Sequence, residues 1–195
     1  MGVTLAEKLA SASKRLSTLT TERLILRPFT FEDAHDVFDY AKDEEVALYT
    51  TFDAHTSLDD SYAFLFDVVL PSYERGDLGP YALDFGGKVI GAIELRLMGS
   101  CIRAHTREMG IVLNQCYWGR GFYAEAATAL ITYAFSQADI YRILACIQID
   151  NKKTIKATEK LGFIYEGRER SGRFFKGQYA DLVHYSLLKP EWQGS

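Results

Sequence analysis

The chain has 195 residues, of which 48% are hydrophobic and 25% charged, with a formal net charge of −4. That length suits one domain with a sizeable core and is cramped for two. No Lys/Arg tract builds a nucleic-acid footprint, and no segment is apolar enough to span a membrane. The cysteines Cys101, Cys116 and Cys146 lack metal-ligand spacing, so the expectation is a cytoplasmic protein without a metal.

Residues 1–20 carry Leu5, Leu9 and Leu16 among Ala, Lys and Ser, which predicts a short, loosely attached helical extension. The start has no basic stretch followed by an apolar core, so no secretory leader is expected. Gly2 invites myristoylation, but Ala6 stands where Ser or Thr is wanted. One domain is expected over residues 21–190.

Leu24-Ile25-Leu26 reads as a strand stopped by Pro28. Helices are predicted over 31–42, with Glu32 and Asp33 in the first turn, and over 58–70, where Pro71 interrupts. The stretch from Tyr49 to Ser57 between them reads as a loop. Residues 80–85 and 88–97 form a hairpin about Gly86-Gly87. A loop at 99–104 leads to a strand over 106–113 and a long helix over 122–138. A buried strand over 141–149, a short helix over 152–161 and an antiparallel pair over 163–169 and 179–188 complete the chain. Meandering strands followed by helical crossovers predict a mixed α/β domain around one sheet.

The segment Tyr117-Trp118-Gly119-Arg120-Gly121-Phe122-Tyr123-Ala124-Glu125-Ala126 lies where a strand gives way to a helix. Glycines at i and i+2 let the backbone turn sharply and approach a ligand. The helix that follows begins with N–H groups lacking intrahelical partners, a donor pocket suited to a phosphate or pyrophosphate. A tight turn with no ligand is the plainer alternative. There is no third glycine for a dinucleotide fingerprint and no Gly-Lys-Ser/Thr for a Walker loop.

This segment resembles the acetyl-CoA-binding motif of the GNAT superfamily of N-acetyltransferases, in its RimJ/RimL-like branch. Thr21 to Pro28, Val89 to Ile93, Glu108 to Ile111, Asn151 to Thr154, Leu161-Gly162-Phe163, and Gly177 with Asp181 resemble further elements of that family in the same order. The resemblance covers residues 21–188. It implies a mostly antiparallel sheet of six to seven strands whose two central strands splay apart, with the pantetheine arm of acetyl-CoA in the gap. It further implies that Trp118, Gly119, Arg120, Gly121, Phe122, Tyr123 and Ala124 cradle the pyrophosphate. An amide among Ile111, Val112 and Leu113 would receive the acetyl carbonyl. Asn151 would hold the pantetheine arm, and Thr154 would lie near the sulfur and donate to the departing thiolate. The reaction implied is direct attack by a primary amine.

The proton acceptor stays open among Glu108, Glu94 and a water chain. The place of a catalytic glutamate in part of the RimL-like group falls at Arg173, and that of a general-acid tyrosine in other branches falls at Thr158. Direct transfer leaves Cys116 and Cys146 as small buried hydrophobes. His184 reads as structural and His55 as a minor candidate near the acceptor. Tyr123 replaces a small residue and, at a helix start, can point outward. Tyr49, Phe52, Tyr73 and Phe174 are candidates to wall the acceptor site or to pack the core. The expected acceptor is a protein N-terminus, a ribosomal protein's included. Small amines such as polyamines or antibiotics, a non-catalytic acyl-CoA-binding module, and a nucleotide-binding protein are the alternatives, in a monomer or homodimer.

Overall fold

The computed structural model describes residues 4–14, 16–97, 105–137 and 139–194. Gly2, Cys101 and the loop at 99–104 lie outside the described residues. The elements are helix α1 (Leu5–Ser13), strands β1 (Leu19–Thr20) and β2 (Ile25–Pro28), and helices α2 (Ala34–Ala41), α3 (Glu44–Ala47), α4 (Leu58–Ala63) and α5 (Leu70–Arg75). Then come β3 (Leu78–Phe85), β4 (Lys88–Leu97), β5 (Thr106–Leu113), α6 (Phe122–Gln137), β6 (Arg142–Gln148), α7 (Lys152–Lys160), β7 (Ile164–Phe175) and β8 (Gln178–Leu188).

The strands form one eight-stranded sheet in the order β1-β2-β3-β4-β5-β6-β8-β7. All neighbours are antiparallel except β5 and β6. The additional strand is the two-residue β1, too short to carry a period-2 signal. The parallel pair is short: Thr106, Arg107 and Glu108 oppose Arg142, Ile143 and Leu144, and the ladder goes no further. Beyond it β5 stays paired to β4 through Leu113, and β6 stays paired to β8 through Gln148. Their facing edges are therefore splayed and unpaired with each other over 109–113 and 145–148.

Each face of the sheet has its own core. Ile93, Leu95, Met109, Leu113, Ile143, Ala145, Val183 and Tyr185 pack with Phe122, Ala126, Leu130 and Ile131 of α6. Ala82, Val89 and Ala92 on the other face pack with Val37, Tyr40, Leu65, Val69 and Tyr73. Leu9 of α1 is 1% exposed within this second core, so α1 is packed rather than loose. Burying one such leucine contributes about 1.5–3 kcal/mol. A capping box between Thr4 and Glu7 starts α1.

Three stretches depart from the sequence reading. The helix expected to break at Pro71 continues to Arg75, ending at Gly76 in the left-handed conformation. A π turn over Phe64–Val69 precedes the proline, which sits in the first turn of α5, where its missing N–H is tolerated. Glu44–Ala47, just before the expected loop, form a helical turn capped by Asp43. The closing hairpin extends through Arg170 to Phe175, with a bulge where Ser171 takes φ 50°. There Asp181 replaces lost ladder bonds, accepting from the Ser171 amide at 2.7 Å and from Arg168.

Among the described residues no helix is long and apolar enough to cross a membrane.

Candidate active site

The strand-to-helix turn is locked by side chains on both flanks. Asn114 accepts from the Cys116 amide at 3.0 Å, and the Trp118 indole donates to the Leu113 carbonyl at 2.8 Å. Gly119 and Gly121 have φ of 71° and 83°, a region L side chains rarely adopt. Open space surrounds the point where a Gly119 side chain would begin. Phe122 anchors the start of α6 in the core, edge-on to Phe85. The first-turn carboxylate of Glu125 is held from the opening strand region: by Thr21 Oγ1 at 2.5 Å, the Arg23 amide at 2.8 Å and Arg23 Nε at 2.7 Å. Arg23 also donates to the Arg120 carbonyl at 3.0 Å. These bonds hold Glu125 below the usual carboxylate range despite burial, which opposes them.

The amides of Phe122, Tyr123 and Ala124 open α6 without intrahelical acceptors, at the positive end of a 16-residue helix. Two cations flank them on aromatic faces. Arg120 lies 5.2 Å from the Tyr117 ring centre, and Lys153, at the start of α7, lies 4.9 Å from that of Trp118. Lys153 was not singled out in the sequence, since only the fold brings α7 beside Trp118.

The splay is the second half of the site. Amides alternate in direction along a strand. The Asn114 amide bonds the Ile90 carbonyl of β4, so Ile111 and Leu113 present their backbone groups to the splay and Val112 presents its own to β4. The Ile149 amide bonds the Asp181 carbonyl of β8, so Cys146 and Gln148 present theirs to the splay from the other side. Trp118 already occupies the Leu113 carbonyl, which leaves Ile111 as the residue with both polar groups turned inward. The slot suits an extended chain with amide groups, and the turn at its end suits a diphosphate, so the backbone fits acetyl-CoA.

Helix α7 borders the slot. Asn151 caps it, its Oδ1 accepting from the Thr154 amide at 3.2 Å, and the cap uses only the oxygen of the carboxamide. Thr154 is half-buried in the first turn. Thr158, one turn on along the same face, is fully buried and shares a 2.8 Å hydrogen bond with the Tyr123 hydroxyl. Tyr123 therefore points inward between α6 and α7, correcting the outward expectation. Burial pushes its phenol up to about 12, while the bond to Thr158 acts in the opposite direction. A phenol hydroxyl thus lies beside Thr158, delivered from another helix.

The other face of the sheet, beyond the cover of α2 and α5, carries a polar cluster. Glu94 and Arg96 on β4 stand opposite Gly110 and Glu108 on β5. Arg96 Nη2 donates to Glu108 Oε1 at 2.6 Å, and Arg96 Nη1 lies 3.4 Å from Glu94 Oε1. Arg173 of β7 approaches Glu108 at 3.9 Å. Burial raises Glu94 above the usual glutamate range, against the nearby Arg96 charge, which lowers it. Gly110 makes room for Glu94: an added Cβ there would lie 3.1 Å from Glu94 Oε1. Further along the same face Cys146 Sγ lies 3.3 Å from His184 Nδ1, and His184 Nε2 lies 2.7 Å from Glu169 Oε2. Cys146 is half-buried and tied into this chain, and burial pushes its thiol up to about 11. Cys116 is exposed in the turn before Trp118, which corrects the expectation that both cysteines are buried.

The aromatic candidates divide. Tyr73 is core: its hydroxyl donates to the Pro80 carbonyl at 2.7 Å and accepts from the Phe29 amide at 2.9 Å. Phe52 packs against the second core and lies 5.5 Å from the ring of His55, which bonds Ser61. Tyr49 reaches the Asp150 carbonyl at 3.4 Å, bringing the loop after α3 to the start of α7. Phe174 is 64% exposed beside Tyr179 on the closing hairpin.

A splayed α/β sheet with a turn of free helix amides at the end of the gap is the architecture of an α/β domain suited to an extended, diphosphate-bearing ligand. The match to known proteins agrees. Residues 23–164 match the acetyltransferase (GNAT) domain family, and the chain belongs to it. It is similar to a putative ribosomal N-acetyltransferase, YdaF, of Bacillus subtilis, with 33% identity over 132 residues, 66% of this chain and 71% of that protein. It is also similar to the ribosomal protein uS5-alanine N-acetyltransferase of Escherichia coli, at 27% over 192 residues, 89% of this chain and 92% of the relative. A GNAT-family acetyltransferase structure from Bacillus anthracis superposes with a TM-score of 0.77 at 26% identity, covering 90% of this chain and all of that one. The chain is an N-acetyltransferase. Among the described residues no group of His, Cys, Asp or Glu could hold a metal ion.

Proposed function

We propose that this protein, working in the cytoplasm through a single domain over residues 21–190 extended at its N-terminus, moves the acetyl group directly to a primary amine, and that the amine is a protein N-terminus. The observation that carries the reading is the pair of unpaired strand edges at Ile111 and Cys146, ending at the Gly119–Gly121 turn. The named activities of YdaF and the uS5-alanine enzyme support a ribosomal protein as acceptor.

The thioester supplies an activated acetyl group. Asn151 and the inward backbone groups of Ile111 and Cys146 orient it, and the Gly119 to Ala124 turn, with Arg120 and Lys153, holds its diphosphate. The Ile111 amide donates to the carbonyl oxygen as negative charge develops there. The attacking amine must be neutral, so a group on the open face has to take its proton. Arg96 bonds Glu108 closely at 2.6 Å and Glu94 only at 3.4 Å, and burial raises the proton affinity of Glu94 against that weaker contact. We therefore assign the proton to Glu94 and give Glu108 the task of fixing Arg96. Thr154, in line with the Thr158–Tyr123 hydroxyls, donates to the departing thiolate. With its thiol pushed up to about 11, Cys146 stays protonated at neutral pH, which favours direct transfer over an acyl-cysteine.

The test is release of free CoA thiol from acetyl-CoA with peptides beginning in Ala, Ser or Met, beside spermidine and aminoglycosides. Turnover of a peptide N-terminus above the small amines is the expected result. Turnover confined to small amines makes the protein a polyamine or antibiotic acetyltransferase, and CoA binding without turnover makes it a binding module.

A further inference from the structure

The open face also says what the acceptor carries besides its amine, provided that the acceptor approaches from that side as proposed above. Arg173 lies on β7 just past the bulge that bends this strand, and the turn beyond it is tied down by Lys176, which donates to the Ala47 carbonyl at 2.9 Å. The Arg173 side chain is one-third exposed, and the carboxylate it approaches, Glu108 at 3.9 Å, already accepts from Arg96 at 2.6 Å. A contact at 3.9 Å lies beyond hydrogen-bond length, so the planar donor fork of Arg173 is not consumed by it.

The charges on this face balance only until the reaction begins. Around the amine Glu94 and Glu108 oppose Arg96 and Arg173, Asp77 is paired with Arg75, and Glu169 lies further along the face, hydrogen-bonded to His184. When Glu94 accepts the amine's proton, two guanidiniums face one carboxylate. A second ammonium on the acceptor would meet repulsion there, and an anion would meet a fork built for it.

We propose that Arg173 selects the acceptor, and that the preferred amine carries a carboxylate close to the reacting nitrogen, either on a small amino acid or on the second or third side chain of a peptide.

The full-length protein is assayed with Ser-Asp-Glu, Ser-Ala-Ala and Ser-Lys-Lys peptides, all amidated at the C-terminus, with γ-aminobutyrate and with spermidine. The expected result is a kcat/KM for the acidic peptide roughly 10- to 100-fold above the neutral one, carried by KM. Arg173→Gln should bring the two within about threefold, with CoA affinity unchanged. Arg173→Glu should reverse the order toward Ser-Lys-Lys and spermidine. A preference seen with γ-aminobutyrate alone assigns the carboxylate to a small molecule, and one seen with the peptide assigns it to an acidic N-terminus. Equal use of acidic and basic peptides by the unsubstituted protein overturns the inference, as does an acidic preference that survives Arg173→Gln. Either leaves acetyl transfer itself standing, whereas no turnover of any amine with CoA bound removes both.

Discussion

The two halves of the site are built in opposite ways. The Gly119–Gly121 turn, proposed above to hold the diphosphate, offers consecutive backbone amides, and its side chains mostly fix the conformation: Asn114 and Trp118 from one flank, Thr21, Arg23 and Glu125 from the other. The open face draws its chemistry from side chains on separate strands, Glu94 and Arg96 on β4, Glu108 on β5, Cys146 on β6, His184 on β8 and Arg173 on β7. A backbone site tolerates changes in residue identity as long as the turn is kept. A side-chain site changes its substrate with one substitution. The first is suited to a constant carrier and the second to a variable acceptor.

The sharpest way to separate the halves is Glu94→Gln. Removing the proposed proton acceptor should lower kcat about 10²- to 10³-fold and leave CoA affinity unchanged. Because Glu94 must be ionised to accept a proton and burial raises its pKa, the acid limb of the rate profile lies above the ordinary glutamate range and should vanish in the variant. The linkage has the matching sign. A carboxyl whose folded pKa is raised contributes stability below its unfolded pKa and loses it as pH rises through the folded value. Glu94→Gln should therefore raise Tm at pH 8 relative to its effect at pH 4. Glu108→Gln with a larger loss of kcat than Glu94→Gln would exchange their assigned tasks.

Gly121→Val breaks the other half. A β-branched residue at φ 83° costs about 1–3 kcal/mol in strain and meets Arg23 Nη2 at 3.4 Å from its Cβ. CoA affinity measured by calorimetry should fall roughly 10- to 100-fold in a folded protein. Unchanged affinity would place the diphosphate elsewhere.

Tyr123→Phe joins the two halves. It leaves the fully buried Thr158 hydroxyl without the phenol, a loss of about 1–2 kcal/mol of stability in urea unfolding. A tenfold fall in kcat on top of that would promote the phenol from packing to thiolate protonation. Cys146→Ala should give the smallest effect, with turnover within about threefold, since a thiol protonated at neutral pH takes no covalent part. Loss of activity together with an acetylated Cys146 seen by mass spectrometry would replace direct transfer with an acyl-enzyme.

Much of this protein is local and was legible in the chain. The turn at Gly119 to Gly121, the helix after it and the strands from Lys88 to Leu113 follow from glycine's access to positive φ, unpaired helix amides and period-2 alternation. The resemblance to acetyltransferases rests on such local pieces in order.

What only the tertiary structure decided is which distant residues share a face. Tyr123 and Thr158 lie 35 positions apart and Glu108 and Arg173 lie 65 apart, and no local periodicity couples them. The passage of a helix through Pro71 depended on a π turn that propensity does not foresee. The physical reason is that amide direction and backbone angles are properties of a few neighbouring residues. Burial, ion pairing and proton affinity are properties of whatever the sheet register brings within a few ångströms.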